Sequence, residues 1–129
     1  MSQDFYLGNP NLKKVGTEIQ FSKDQIKEYL KCKEDPVYFA MTYIKIISLD
    51  EGIVPFNMWD FQQELIESFH ENRFNIAKLP RQTGKSTTCV SYLLHYILFN
   101  DNVNVGILAN KLSTARDLLG RLQLAYEQL

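Results

Sequence analysis

Leu79-Pro80-Arg81-Gln82-Thr83-Gly84-Lys85-Ser86-Thr87 is the stretch on which the reading of this chain turns. A phosphate-binding loop asks for Gly, four residues, then Gly-Lys-[Ser/Thr]. Gly84, Lys85 and Ser86 meet the second half of that pattern. Leu79 stands where the first Gly belongs, and Arg81 lies inside the loop. Upstream, Phe74-Asn75-Ile76-Ala77-Lys78-Leu79 has the composition of a short strand entering the loop. Downstream, residues 86–99 have the pattern of a helix leaving it. A strand, a loop and a helix in that order turn a short string match into a nucleotide-site hypothesis. A bare Gly-Lys-Ser turn would do no more than cap a helix, and the flanks weigh against that.

Each residue type has a reason to be there. Gly84 lets backbone N–H groups approach phosphate oxygens with no Cβ in the way. The start of the following helix adds free N–H groups and the positive end of its dipole. Lys85 would reach the β- and γ-phosphates as a point charge. The Ser86 hydroxyl would face Mg²⁺. Arg81 carries a planar fork suited to phosphate or carboxylate.

Working outward, residues 1–20 are turn-rich (Gly8-Asn9-Pro10-Asn11, Gly16-Thr17) and read as an extended arm. Ser22 reads as the N-cap of a helix over 23–33, with Ile26 and Leu30 four apart. Lys23, Lys27, Lys31 and Lys33 give that helix a basic side, which reads as a solvated face before it reads as a DNA contact. Asp35-Pro36 opens a second helix to residue 43. Residues 44–48 read as a strand, and Asp50-Glu51-Gly52 as a turn before Ile53-Val54-Pro55. Residues 57–72 form an amphipathic helix with Phe61, Leu65, Ile66 and Phe69 as its stripe. The helix over 86–99 carries Val90, Leu93, Leu94, Ile97 and Leu98 on one side. Residues 103–109 are mostly apolar and read as a second buried strand. A last helix, capped by Asn110 or Ser113, runs through Leu118, Leu119, Leu122 and Tyr126.

The expected fold is therefore α/β: a P-loop NTPase domain of the additional-strand, RecA-like type. It would show the first half of a parallel sheet with flanking helices, preceded by a small, mostly helical segment. The expected division is 1–55 for the arm and helical subdomain and 56–129 for the first part of the ATPase domain. Two parallel strands alone leave open sheet edges, so marginal stability and aggregation are expected.

The totals set bounds. With 129 residues there is enough chain for one small domain. A formal net charge of −1 supplies no global basic field for nucleic acid, so any DNA contact would be local. No stretch is apolar for long enough to span a membrane. The polar opening Met1-Ser2-Gln3-Asp4 lacks the features of a secretory signal. Cys32 and Cys89 have no metal-ligand spacing and read as free, buried thiols. His70 and His95 stand singly and read as surface or packing residues.

Asp60-Phe61-Gln62, the loop 79–87, and Val105-Gly106-Ile107-Leu108-Ala109-Asn110-Lys111 together resemble the ATPase half of the large terminase subunit of tailed bacteriophages, nearest the contractile-tailed type. Asp35-Pro36-Val37-Tyr38-Phe39 and Ile53-Val54-Pro55-Phe56 share that likeness, which covers nearly the whole chain. An arginine-bearing loop without its first glycine is a feature of that family, so Leu79 departs from the general pattern but not from the family's.

The resemblance implies a motor ATPase that drives phage DNA into a procapsid, with ATP and Mg²⁺ as cofactors. It implies double-stranded phage DNA, the portal protein, the small terminase subunit and further copies in a ring as partners. It places the protein in the host bacterial cytoplasm and transiently at the procapsid portal vertex, with no membrane. Phe61 and Gln62 would lie at the adenine-recognising motif, Phe61 by stacking or simply as core. Arg81 and Lys85 would be catalytic, and Arg81 would stabilise charge on the transferring phosphate, from its own ATP or a neighbour's. Gln82, Thr83, Gly84, Lys85, Ser86 and Thr87 would hold the nucleotide, with Ser86 on the metal. Asn110 and Lys111 would lie at the sheet's carboxyl edge or act as a helix cap.

Such an ATPase also needs an acidic pair on an apolar strand. Ile46-Ile47-Ser48-Leu49-Asp50-Glu51 imitates one, but it contains Ser48, precedes the loop and runs into Gly52 like a turn. In the family the acidic strand and a C-terminal nuclease domain would follow Leu129, so the chain reads as an N-terminal part whose own turnover is not expected. Asp60, Glu64 and Glu67 read as the solvated side of a helix, not as a nuclease site. Two other classes remain open: a helicase-like DNA translocase, against which Leu79 and Arg81 argue, and a non-catalytic nucleotide-binding fragment.

Overall fold

A computed structural model describes residues 6–9 and 12–129. The turn expected at Pro10-Asn11 and the opening Met1-Ser2-Gln3-Asp4 lie outside the described residues. After a 3-10 turn at Tyr6–Gly8 the described residues form five α-helices and one antiparallel hairpin. These are α1 (Lys23–Glu34), α2 (Pro36–Tyr43), β1 (Lys45–Ser48), β2 (Gly52–Pro55), α3 (Asp60–Glu71), α4 (Lys85–Phe99) and α5 (Leu112–Glu127).

The first two helices are punctuated as their sequence demands. Ser22 and Gln25 form a reciprocal capping box: the Gln25 N–H donates to Ser22 Oγ at 3.2 Å and the Ser22 N–H to Gln25 Oε1 at 2.9 Å. Asp35 ends α1 and starts α2, its Oδ1 accepting the Tyr38 N–H at 2.9 Å, with Pro36 in the first turn. Ile26 and Leu30, four apart, stay about half exposed, and Cys32 is the buried residue of α1. Spacing found an apolar stripe, but α2 packs on the neighbouring side, where Glu28 and Cys32 lie.

β1 and β2 pair with Lys45 opposite Pro55 and Ser48 opposite Gly52. Asp50 and Glu51 sit in the connecting turn, and Gly52 follows it at a φ of 77°. The Phe56 N–H donates to the Ile44 carbonyl at 3.0 Å just beyond the ladder, which delivers both side chains to the core.

The core gathers Cys32, Phe39, Ala40, Ile44, Phe56, Met58, Ile66, Leu94 and Ala125, so it is continuous across residues 55 and 56. Helix α4 lies at its centre, packed against α2, α3 and α5. Three polar residues of α4 are buried with partners of their own. Thr88 Oγ1 donates to the Gly84 carbonyl at 2.9 Å, Ser91 Oγ to Thr87 O at 2.8 Å, and His95 Nε2 to Cys32 O at 2.8 Å.

The expected parallel, RecA-like sheet is not seen. Among the described residues the sheet has two strands, both antiparallel and both before the loop. Residues 74–79 and 103–109 are not strands, and neither makes a backbone–backbone hydrogen bond with a described residue. Phe74, Ile76 and Leu108 stand exposed at 83%, 101% and 99%. In 103–109 the side chains of Val103, Val105 and Ile107 are half-buried and their alternate neighbours exposed, a period-two pattern without a ladder. Apolar runs declare that a segment wants burial, but a strand exists only where another backbone accepts and donates beside it. The fold observed is a helical cluster with a hairpin. No described helix is long and apolar enough to cross a membrane.

Candidate functional site

The loop leaves residues 74–79 and closes on the first turn of α4 by a short series of backbone decisions. Pro80 fixes one φ. Gln82 and Gly84 both adopt positive φ, 60° and 71°. Gln82 and Gly84, two positions apart, are the left-handed residues through which the chain turns into α4, and left-handed residues are a component of anion-binding backbone nests. Thr83 tightens the turn, its Oγ1 donating to the Pro80 carbonyl at 3.0 Å.

Gly84 is the N-cap of α4 and no side chain caps that terminus. The Thr88 N–H is the first to find a helical acceptor, Gly84 O at 2.9 Å. The N–H groups of Lys85, Ser86 and Thr87 therefore stand ahead of the first intrahelical bond. Thr88 Oγ1 also donates to Gly84 O, so this carbonyl takes two bonds and anchors the turn from inside.

The sequence-derived candidates sort as follows. Lys85 is exposed, and its Nζ reaches back across the loop to the Leu79 carbonyl at 3.4 Å, a long and weak contact. Arg81 and Gln82 are exposed, and Arg81 makes no ion pair with a described residue. Ser86 and Thr87 are half-buried; Ser86 makes no side-chain hydrogen bond among the described residues, while the Thr87 carbonyl accepts from Ser91. Loop and helix terminus thus bring Arg81, Gln82, Thr83, Gly84, Lys85, Ser86 and Thr87 to one exposed corner.

Gln62 joins this corner from α3. It is 6% exposed, and its Nε2 donates to the Thr83 carbonyl at 3.0 Å. Its Oε1 accepts the Trp59 N–H at 3.0 Å. Phe61 is half-buried, edge-on to Trp59 with ring centroids 5.7 Å apart. It lines a cavity of about 260 Å³ with Leu65, Ala77, Lys78 and Leu79, beside the start of the loop. Asn110 and Lys111 are exposed. Lys111 is the N-cap of α5 and provides no side-chain cap, and neither Asn110 nor Ser113 takes that place.

Sequence reading missed two supports of the loop. Trp59 contributes through its backbone N–H, and Thr88 through its double hold on Gly84 O. The three-residue spacing of Trp59 and Gln62 is that of a capping box, but without Ser or Thr at the first position it goes unnoticed. A cavity of about 630 Å³ lies elsewhere, lined by Phe69, Arg73, Tyr92, Leu93 and Val105, and shares no residue with the loop.

The residues fit a polyphosphate: uncapped N–H groups, a left-handed pair, one lysine and one free-standing arginine point the same chemistry at one corner. For Mg²⁺ the loop offers a single donor, the Ser86 hydroxyl. No protein-family model matches the chain.

Proposed function

We propose that residues 79–87 bind the phosphates of ATP and that the chain is the nucleotide-gripping part of a terminase-like DNA-packaging ATPase. The observation that carries the first half is the uncapped first turn of α4, entered through Gly84 at a φ of 71° with Lys85 as the first helical residue. Backbone N–H groups and the helix dipole favour an anion there, and Lys85 adds a full charge. In binding, Lys85 Nζ would exchange its weak contact with Leu79 O for a charge-assisted one to phosphate. Arg81 would swing over the terminal phosphate, and Ser86 would take the cation that accompanies the nucleotide.

The second half rests on the motif resemblance and on the loop, not on a sheet. It carries with it double-stranded DNA, a portal, a small subunit and further copies as partners, and the cytoplasm of a bacterial host as the place of action. Titration calorimetry with ATP and with inorganic triphosphate, with and without Mg²⁺, tests the phosphate claim. Micromolar binding of both, strengthened by Mg²⁺ and lost in Lys85→Ala, supports it. Equal heats for the native chain and the variant remove it.

A further inference from the structure

We propose that Gln62 is a positioning residue for the phosphate loop, fixing the peptide between Thr83 and Gly84, rather than a reader of the nucleotide base. The inference rests on the loop being a phosphate site.

Both ends of the Gln62 amide are spoken for. The Trp59 N–H can only donate and the Thr83 carbonyl can only accept, so the pair of 3.0 Å contacts orients the amide uniquely. The side chain is 6% exposed. Oε1 keeps a second lone pair and Nε2 a second N–H, but the side chain is buried, so offering them to adenine would mean drawing the amide out of its place and leaving the Trp59 N–H and the Thr83 carbonyl without these partners.

The contact with Thr83 has a geometric consequence. Every peptide bond described is trans, so the carbonyl of Thr83 and the N–H of Gly84 point in opposite directions. Holding the carbonyl against α3 turns the Gly84 N–H away from α3, toward the open side of the loop where a phosphate would sit. A flipped peptide would aim a carbonyl at that phosphate instead. Gly84 is also the residue that allows the approach: a Cβ there would meet Gln62 Nε2 at 2.6 Å. Gln62 and Gly84 are therefore fitted to each other, and α3 sets the loop through one amide.

The test is equilibrium binding of ATP, GTP and inorganic triphosphate to the native chain, Gln62→Ala and Gln62→Glu, each checked for native helicity by circular dichroism. A positioning role predicts that Gln62→Ala weakens all three ligands by a similar factor, about tenfold, the scale of one lost hydrogen bond. In Gln62→Glu an ionised carboxylate faces the Thr83 carbonyl with no proton to give. Its affinity relative to the native chain should recover as pH falls through the range where the new carboxyl gains a proton, and this keeps the test alive if Gln62→Ala does not fold. A loss confined to ATP, with GTP and triphosphate untouched, would show base reading and overturn the proposal. Unchanged affinity for all three, or no pH-dependent recovery, would overturn it by reducing Gln62 to a cap of α3. If the native chain binds none of the three, the phosphate reading itself fails, and the inference with it.

Discussion

His95 Nε2 donates to the carbonyl of Cys32 at 2.8 Å, tying the centre of α4 to the last turn of α1 through a buried imidazole. Burial lowers the pKa of His95 from its usual 6.5, with the neighbouring His70 pushing the same way and the Cys32 carbonyl opposing. A depressed pKa means that the fold prefers the neutral ring. That preference is fully present above the unfolded value of 6.5 and is lost as pH falls through the folded value. Urea denaturation between pH 7.5 and 5 should therefore show falling stability, and His95→Phe should flatten that slope while losing the link to α1.

Glu28 makes a second tie. Its Oε1 accepts from Tyr38 OH at 2.7 Å and from Tyr43 OH at 2.9 Å. These bonds hold the carboxyl below its usual 4.5, so its contribution is present above that value and fades as acid titrates it. The same bond, chiefly, pushes the Tyr43 phenol up to about 12. Tyrosinate absorbance on alkaline titration should show one phenol ionising about two units later than an ordinary tyrosine, and Glu28→Gln should bring it back. The two histidine and carboxylate effects separate in pH, one beginning at about 6.5 and the other below 4.5.

Ile66 is fully buried at the junction of α3 and the core. Ile66→Ala should cost about 2–5 kcal/mol, set by how far the neighbours close over the gap. A denaturant midpoint that does not move would mean that α3 is not docked as described, and the link between Gln62 and the loop would lose its foundation.

Gly84→Ala should damage the loop twice. An alanine at a φ of 71° is strained by about 1 kcal/mol, and its Cβ would displace Gln62 Nε2. Phosphate binding should fall more in this variant than overall stability does, since the strain lies at the loop. Arg81→Ala, by contrast, removes an exposed side chain and should leave the fold and most of the ground-state affinity intact. In an assembly that turns over ATP it should reduce rate more than binding.

Much of the local structure could be read in advance. Ser22, Asp35-Pro36 and the stripe of α3 announce their helices through capping chemistry and period, because those signals act within one or two turns of chain. The turn at the loop's glycine was legible for the same reason. What could not be read is which segments find partners. Residues 53–55 pair with β1 through a turn whose glycine looked like punctuation only. Residues 74–79 and 103–109, longer runs that also carry strand-forming side chains, pair with no described backbone. Pattern reports hydrophobic demand, whereas pairing depends on what folds alongside. His95 illustrates the same gap: a lone histidine on a helix gives no sign that a carbonyl of α1 waits for it.

The unpaired stretches carry a cost. Phe74, Ile76 and Leu108 present exposed apolar side chains on segments whose backbone pairs with no described strand, a template for association between chains. Light scattering at rising concentration should show self-association of the native sequence. Leu108→Lys should reduce it without altering helicity, because Leu108 touches no part of the core. A chain that stays monomeric at high concentration would contradict this.

The central claim is that the first turn of α4 receives phosphate, and amide NMR tests it where it is made. Addition of ATP with Mg²⁺ should shift the backbone N–H resonances of Gly84, Lys85, Ser86 and Thr87 first and most, with the shifts abolished in Lys85→Ala. If millimolar ATP leaves those four amides where they were, the loop does not hold nucleotide and the account fails at its root.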